Sequence, residues 1–320
     1  LGRHHRPGPA GRQLPPAMTR PRKPRAVAVG AVCATRIFRV DAIPPPPAKV
    51  LASALCELYD GMALSAACAF ARLGGQAAIW ARTGDDAQGR ALHQAIQAEG
   101  LDVRGLRAVP GAATSQAAVV VDARGERLVV PFHDPQVDAS PDWLPLDRIG
   151  DADIVLADVR WVEGAEAVLR AARAAGVPAM LDADVGPLPV LQRLVPLASH
   201  AVFSDAGLLH YTGLDSVDAA LLAVAAQQGG HVGASCGAAG YAWVDGGQVR
   251  RVPAPAVQVV DTLAAGDVFH GALALALIEG RPMDEAARFA CHAASIKCTR
   301  FGGRLGCPTR DEVQASLQRD

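Results

Sequence analysis

Near its C-terminal end the chain reads "DTLAAGDVFHGALALAL", Asp261 to Leu277. Glycine and small residues ahead of Asp267 let several backbone N–H groups converge where a helix begins. The helix dipole adds about half a positive charge at that point. Such a nest binds a phosphate or steadies a phosphoryl group in transit. A carboxylate one step inside the helix can then take the proton of an attacking hydroxyl. The combination suits phosphoryl transfer from a nucleotide to an alcohol; an aspartate that merely caps the helix is the competing account.

Other chemistry-bearing residues stand just after apolar runs: Asp158, Asp182, Asp184, Ser204-Asp205 and Ser235–Gly237. Open α/β sheets bind ligands at the carboxyl ends of their strands, although an aspartate there also serves as a turn or cap. Arg160, after "VLADV", can pair bidentately with a phosphate, sulfonate or carboxylate, or form a salt bridge to Asp158 or Glu163. His270 reads as a packed core histidine, and His133-Asp134 as a solvated loop.

The elements that must position these groups follow from the hydrophobic pattern. "RAVAVGAVCA" reads as a first buried strand, "QAAIWARTGDD" as a second, with the helices "MALSAACAFARLGG" and "AQGRALHQAIQAEG" beside them. "DIVLADV", "PAMLDAD", "HAVFSD" and "HVGASCG" read as strands separated by "GAEAVLRAARAAG", "LPVLQRLVPLA" and "DSVDAALLAVAAQQGG" as helices. Repeated strand–helix alternation predicts a mostly parallel sheet covered on both faces. Two β-rich stretches, about 36–60 and 115–133, break the alternation and predict a small separate sheet. A hairpin, "YAWVDGGQVRRVPAPA", precedes the opening stretch.

Composition narrows the function classes. The chain is 320 residues long and 50% hydrophobic, enough to bury a large core as one α/β domain. Residues 1–25 carry seven basic and no acidic residues among many prolines, and read as a disordered basic extension, with Met18 an alternative start. The remainder carries 24 basic against 32 acidic residues, about −8, which argues against nucleic acid as partner. Apolar runs are too short for a membrane span of about 20 residues. Seven cysteines without a CxxC spacing read as free thiols in a reducing cytoplasm, with no zinc site. A P-loop and a GxGxxG after the first strand are both missing.

"DTLAAGDVFHGAL" resembles the D-T-x-G-A-G-D signature of the ribokinase-like (PfkB) carbohydrate kinases. Gly61 with "AFARLGGQAAIWARTGDDAQG", "ASCGAAGYAW" and "SIKCTRFGG" resemble, in order, the family's glycine-led helix and G-x-D-x-x-G element, its T-x-G-x-x-G segment and its V-T-R-x-G-A end. The resemblance spans 26–310, leaving 311–320 as a C-terminal helix end. "VLADVRW", "DVFHGALA" and "KCTRFGGRLGCP" are most similar to sulfofructose kinase-type members, with ketohexokinase types further off.

The resemblance implies a ribokinase-like doubly wound α/β fold, a mostly parallel central sheet flanked by helices, with a small β-sheet lid over the sugar. It implies a cytoplasmic sugar kinase using ATP and Mg²⁺, a K⁺ ion in some members, and a homodimer paired through the lid. Asp267 matches the catalytic base, and Ala264, Ala265 and Gly266 the anion hole. Ser235, Gly237, Gly240 and His292 match the nucleotide side. Asp261, Thr262 and the loop from Arg300 through Gly302 to Gly303 match the surroundings of nucleotide and monovalent cation. Gly61, Thr35, Lys49 and Arg160 match sugar-side positions, and Asp205 a Mg²⁺-linked acid.

The departures lie in the site. Ala264 replaces a glycine; its N–H survives where φ is negative, and loss of activity follows only where the position needs φ > 0. Thr35 replaces a sugar-binding aspartate, Asp60 a glycine, Ser65 an asparagine and Pro131 a polar lid residue. "SDAG", Ser204–Gly207, replaces N-x-x-E. These changes keep two alternatives open: a catalytically weakened nucleotide- or sugar-binding protein, and a nucleoside kinase of the same fold.

Overall fold

The computed structural model describes residues 22–319. Most of the 1–25 extension, with Met18, lies outside the described residues. Its last residues belong to the fold, since Arg22 pairs with Asp153 at 2.6 Å and the first strand opens at Arg25.

The chain runs through β1 (Arg25–Val29), β2 (Cys33–Arg39), β3 (Ala54–Asp60), α1 (Met62–Arg72), β4 (Gln76–Gly84) and α2 (Ala87–Ala98). Then come β5 (Asp102–Val109), β6 (Gln116–Val121), β7 (Arg127–Phe132), β8 (Ile154–Asp158), α3 (Val162–Ala175) and β9 (Ala179–Ala183). Next are α4 (Leu188–Leu194), β10 (His200–Ser204), α5 (Asp205–Thr212), α6 (Val217–Ala225) and β11 (His231–Ser235). The chain ends with β12 (Tyr241–Asp245), β13 (Gln248–Val252), α7 (Ala265–Ile278), α8 (Met283–Cys298) and α9 (Arg310–Leu317).

Nine strands form one sheet in the order β13-β12-β11-β10-β9-β8-β1-β4-β5. All its neighbours pair parallel except at the β11–β12 and β12–β13 edge. Strands covered on both faces must be apolar throughout, and all five residues of β8 are buried. One core, around Phe70, Leu273 and Phe289, joins the sheet to α1, α7 and α8. The other, around Trp161, Leu169 and Phe203, lies on the opposite face. The helix α7 is made of small apolar residues because it is wedged against α1 and α8. A Cβ on Gly271 would lie 2.4 Å from the Ala66 carbonyl, so only glycine permits that approach.

The second sheet, β3-β2-β6-β7, is the lid that the two β-rich stretches predict. Its inner face (Ile37, Leu58, Val119 and Val121) packs on Leu263 and Phe301, in the loops before α7 and after α8.

The first apolar run is two strands rather than one. At Gly30 (φ 149°) the chain leaves the central sheet and enters the lid at Cys33. The Asp158 carboxylate lies beneath that corner, accepting hydrogen bonds from the N–H groups of Ala31 (2.7 Å), Ala63 (3.0 Å) and Arg160 (2.8 Å). A Cβ on Gly30 would sit 2.1 Å from an Asp158 oxygen. Asp158 therefore fastens β1, β8 and the start of α1 together. Two elements go beyond the hydrophobic pattern: β5, whose sequence "DVRGLRAV" alternates polar and apolar residues at the sheet edge, and α5, which "SDAGLLHYT" caps with the Ser204 hydroxyl.

Candidate active site

The start of α7 faces open space. A Cβ built on Gly266 meets nothing within 4 Å, and Gly266 is exposed. Ala264, at φ 62° and ψ 12°, is left-handed, so the position does take the positive φ that suits glycine. Alanine occupies it at a cost of about 1–2 kcal/mol, and the turn still forms. The N–H groups of Gly266 and Asp267 have no hydrogen-bond partner among the described residues. That of Ala265 instead donates to the Thr262 carbonyl at 3.2 Å. Of the 264–266 amides, that of Ala265 is therefore engaged within the turn.

What holds this turn is Asp261, whose side chain is fully buried. Its carboxylate accepts from the N–H groups of Leu263 (2.8 Å), Gly302 (3.0 Å) and Gly303 (2.9 Å). Lys297, also fully buried, donates to its carbonyl at 2.6 Å. Thr262 reaches the lid: its hydroxyl donates to the Gly125 carbonyl at 2.9 Å and accepts from Arg127 at 2.7 Å.

Asp267 is half-buried and faces the strand ends. Desolvation pushes its carboxyl well above the ordinary carboxylate range, and the charges of Asp182, Asp60, Asp158 and Asp184 add to the effect. Asp182 is raised in the same way, first by burial and then by Asp184 and Asp158. Arg160 is the cation set against this group. It pairs with Asp184 at 3.1 Å and donates to the Val185 carbonyl at 3.1 Å, so its partner is neither Asp158 nor Glu163. Negative charge in this excess fits a divalent cation brought in with a nucleotide, since Mg²⁺ needs only one or two protein carboxylates beside phosphate and water. Asp184 is held by Arg160 and by the Ser204 hydroxyl at 2.9 Å, while Asp205 stands exposed at the start of α5 with its carboxylate accepting from the Ala206 N–H.

His270 is buried, with Nδ1 2.7 Å from the Gly266 carbonyl and 3.3 Å from an Asp182 oxygen. Desolvation lowers its basicity, as a packed core imidazole requires. On the lid, Thr35 is buried 3.3 Å from the Cys33 sulfur. Burial pushes the Cys33 thiol up to about 12, with Asp60 adding to the rise, so it is no nucleophile. Asp60 is buried and accepts from the Ser65 hydroxyl, so two of the altered positions have become partners. Gly61 retains its close approach, a Cβ there falling 2.4 Å from the Ala31 carbonyl.

Ser235 ends β11 opposite Ser204, Gly237 lies on an exposed turn and Gly240 is buried behind it. His292 is buried on α8, 2.8 Å from the Ser316 hydroxyl. Lys49 is exposed in the loop between β2 and β3. The structure thus gathers Asp60, Asp182, Asp184, Arg160 and Asp267, and leaves Lys49 out on the lid. Lys297 adds a buried cation to this set; its only signal in the sequence is a lysine inside the apolar segment "AASIKC".

The pfkB family carbohydrate kinase profile matches residues 23–310. A ribokinase of Bacillus subtilis is 26% identical over 292 residues, 90% of this chain and 98% of its own. The crystal structure of a ribokinase-type protein from Agrobacterium tumefaciens is 39% identical, with a TM-score of 0.89 over 93% of this chain and 98% of its own. The Arabidopsis thaliana ribokinase structure complexed with ribose and ATP is 26% identical, with a TM-score of 0.78 over 93% and 99%. Among the described residues no helix is long and apolar enough to cross a membrane.

Two outcomes follow from the geometry. Ala264→Gly should raise stability by about 0.5–1 kcal/mol in denaturant unfolding without loss of turnover, because it relieves a left-handed alanine. In the pH profile, Asp267 must be ionised to accept a proton and its carboxyl titrates high. Activity should therefore fall on acidification at a pH above the ordinary carboxylate range of about 4. Asp182→Asn should move that acid limb downward; an unmoved limb would assign it to another group.

Proposed function

The chain belongs to the pfkB family of carbohydrate kinases, and from that premise we propose that it moves the γ-phosphoryl group of ATP to a sugar hydroxyl with Asp267 as proton acceptor. The observation that carries this reading is the half-buried, raised Asp267 carboxylate one residue beyond an open turn with unpaired amides. The Gly266 and Asp267 N–H groups and the α7 dipole meet the negative charge of the phosphoryl group. Asp267 takes the proton of the hydroxyl as it attacks, and its neighbouring carboxylates make it a better proton acceptor at neutral pH than an ordinary aspartate. Mg²⁺ carried with ATP, held through Asp184, would screen charge between the phosphate oxygens.

The lid covers a sugar of the ribose or fructose type, the acceptors that the relatives' names specify. An anionic substituent, as in a sulfofructose-like ketose, would meet Arg160 in competition with Asp184. Lys49, exposed on the lid loop, supports this refinement less than Arg160 does. The open, unblocked turn favours an active kinase over a weakened binding protein.

The lid's outer surface supports a homodimer. Leu55, Leu128, Val130 and Phe132 are exposed there, and a groove of about 410 Å³ lined by Phe38, Val40 and Leu128 runs beside them. Exposed apolar area in one patch marks an interface.

Asp267→Asn should lower kcat by about 10²–10⁴-fold with little change in KM, measured by ATP consumption against ribose, fructose and sulfofructose. Full turnover in that variant rejects the mechanism, and silence with the sulfonated sugar rejects the anionic refinement. Sedimentation velocity at micromolar concentration should give a dimer that Phe132→Asp dissociates; a wild-type monomer rejects the lid interface.

A further inference from the structure

The resemblance implies a monovalent cation beside Asp261, Thr262 and the loop from Arg300 to Gly303. The oxygens there are already engaged. The Asp261 carbonyl accepts from the Lys297 ammonium at 2.6 Å, and one carboxylate oxygen lies 3.5 Å from the same nitrogen. That oxygen also accepts from Leu263, while the other accepts from Gly302 and Gly303. Thr262 spends its hydroxyl on the lid. Lys297 extends from the last turn of α8, and neither it nor Asp261 exposes any side-chain surface. A second cation beside the buried ammonium would meet like-charge repulsion at low dielectric. The donor set of this loop does not fit K⁺.

We propose that the Lys297 ammonium is a tethered monovalent cation: it grips the Asp261 carbonyl, fixes the turn ahead of α7, and makes nucleotide binding independent of added K⁺. An ammonium carries the unit charge that such an ion would bring and directs its N–H groups to the same kind of oxygens. Because the side chain is covalently held, the site stays filled at any salt composition. Lys297 is a positioning residue, reaching the anion hole through Asp261, Leu263 and Ala264. The inference deepens the kinase reading, yet its readouts use no sugar.

The test uses the full chain with K⁺, NH₄⁺ or tetramethylammonium as the sole monovalent cation at constant ionic strength. Calorimetric Mg-ATP affinity and the nucleotide-free melting temperature are measured in each. The wild type should bind with a Kd that varies by less than about twofold and melt at one temperature in all three. Lys297→Ala should bind about tenfold more weakly in tetramethylammonium and recover affinity and melting temperature in K⁺ or NH₄⁺, which fit the vacated space. Lys297→Met, which fills that space without charge, should be weakened and stay unrescued. A wild type whose affinity or melting temperature rises specifically with K⁺ overturns the proposal. So does a Lys297→Ala protein that binds normally in tetramethylammonium. If neither variant accumulates, the wild-type cation series decides alone. Cation-independent ATP binding without phosphorylation of any sugar would sink the kinase reading and leave this one standing.

Discussion

The site depends on one buried carboxylate. Asp261 gathers the amides of Leu263, Gly302 and Gly303 and brings the loop before α7 against the loop after α8. Lys297 closes the arrangement from the end of α8. A buried ion pair contributes little net stability, because desolvation offsets its attraction; its consequence is geometric. Here the geometry matters because the next residues include an alanine in left-handed conformation, which the chain would otherwise avoid. The clamp holds a turn that local preference opposes, and the turn aims two amides at open space.

Around that turn two fields of opposite sign meet. The N-terminus of α7 is positive by its dipole, and the strand ends opposite it carry Asp158, Asp182 and Asp184. Asp158 is satisfied by three backbone amides, so its charge serves the fold. Asp182 and Asp184 have Arg160 and His270 nearby, which leaves a negative excess. Asp267 lies at the junction of the two, half-buried beside the open turn, the arrangement on which the proposed transfer rests.

The lid shares in this construction. Arg127 and the Gly125 carbonyl hold Thr262, the residue after Asp261, so the lid sheet is fastened to the loop that leads into α7. Buried polar groups beneath the lid are paired. Ser65 hydrogen-bonds to Asp60, and Thr35 packs beside Cys33. Such pairing keeps buried polar atoms satisfied.

The strand–helix alternation and the small-residue opening of α7 were legible in the residues themselves, because periodicity and helix-start chemistry are set within a turn or two of chain. The lid was legible for the same reason, as a break in that rhythm. Partners between distant segments were not. Lys297 meets Asp261 across 36 residues, and Arg160 chooses Asp184 over Asp158 because β8 and β9 are neighbours in the sheet. Local pattern determined which elements form and where the small-residue turn ahead of α7 sits. The packing of α8 against α7, and of the loops before α7 and after α8 against the lid, decided the sign of φ at Ala264, the burial of Lys297 against Asp261 and the neighbours of Asp267, since those follow from which surfaces meet once the sheet is assembled.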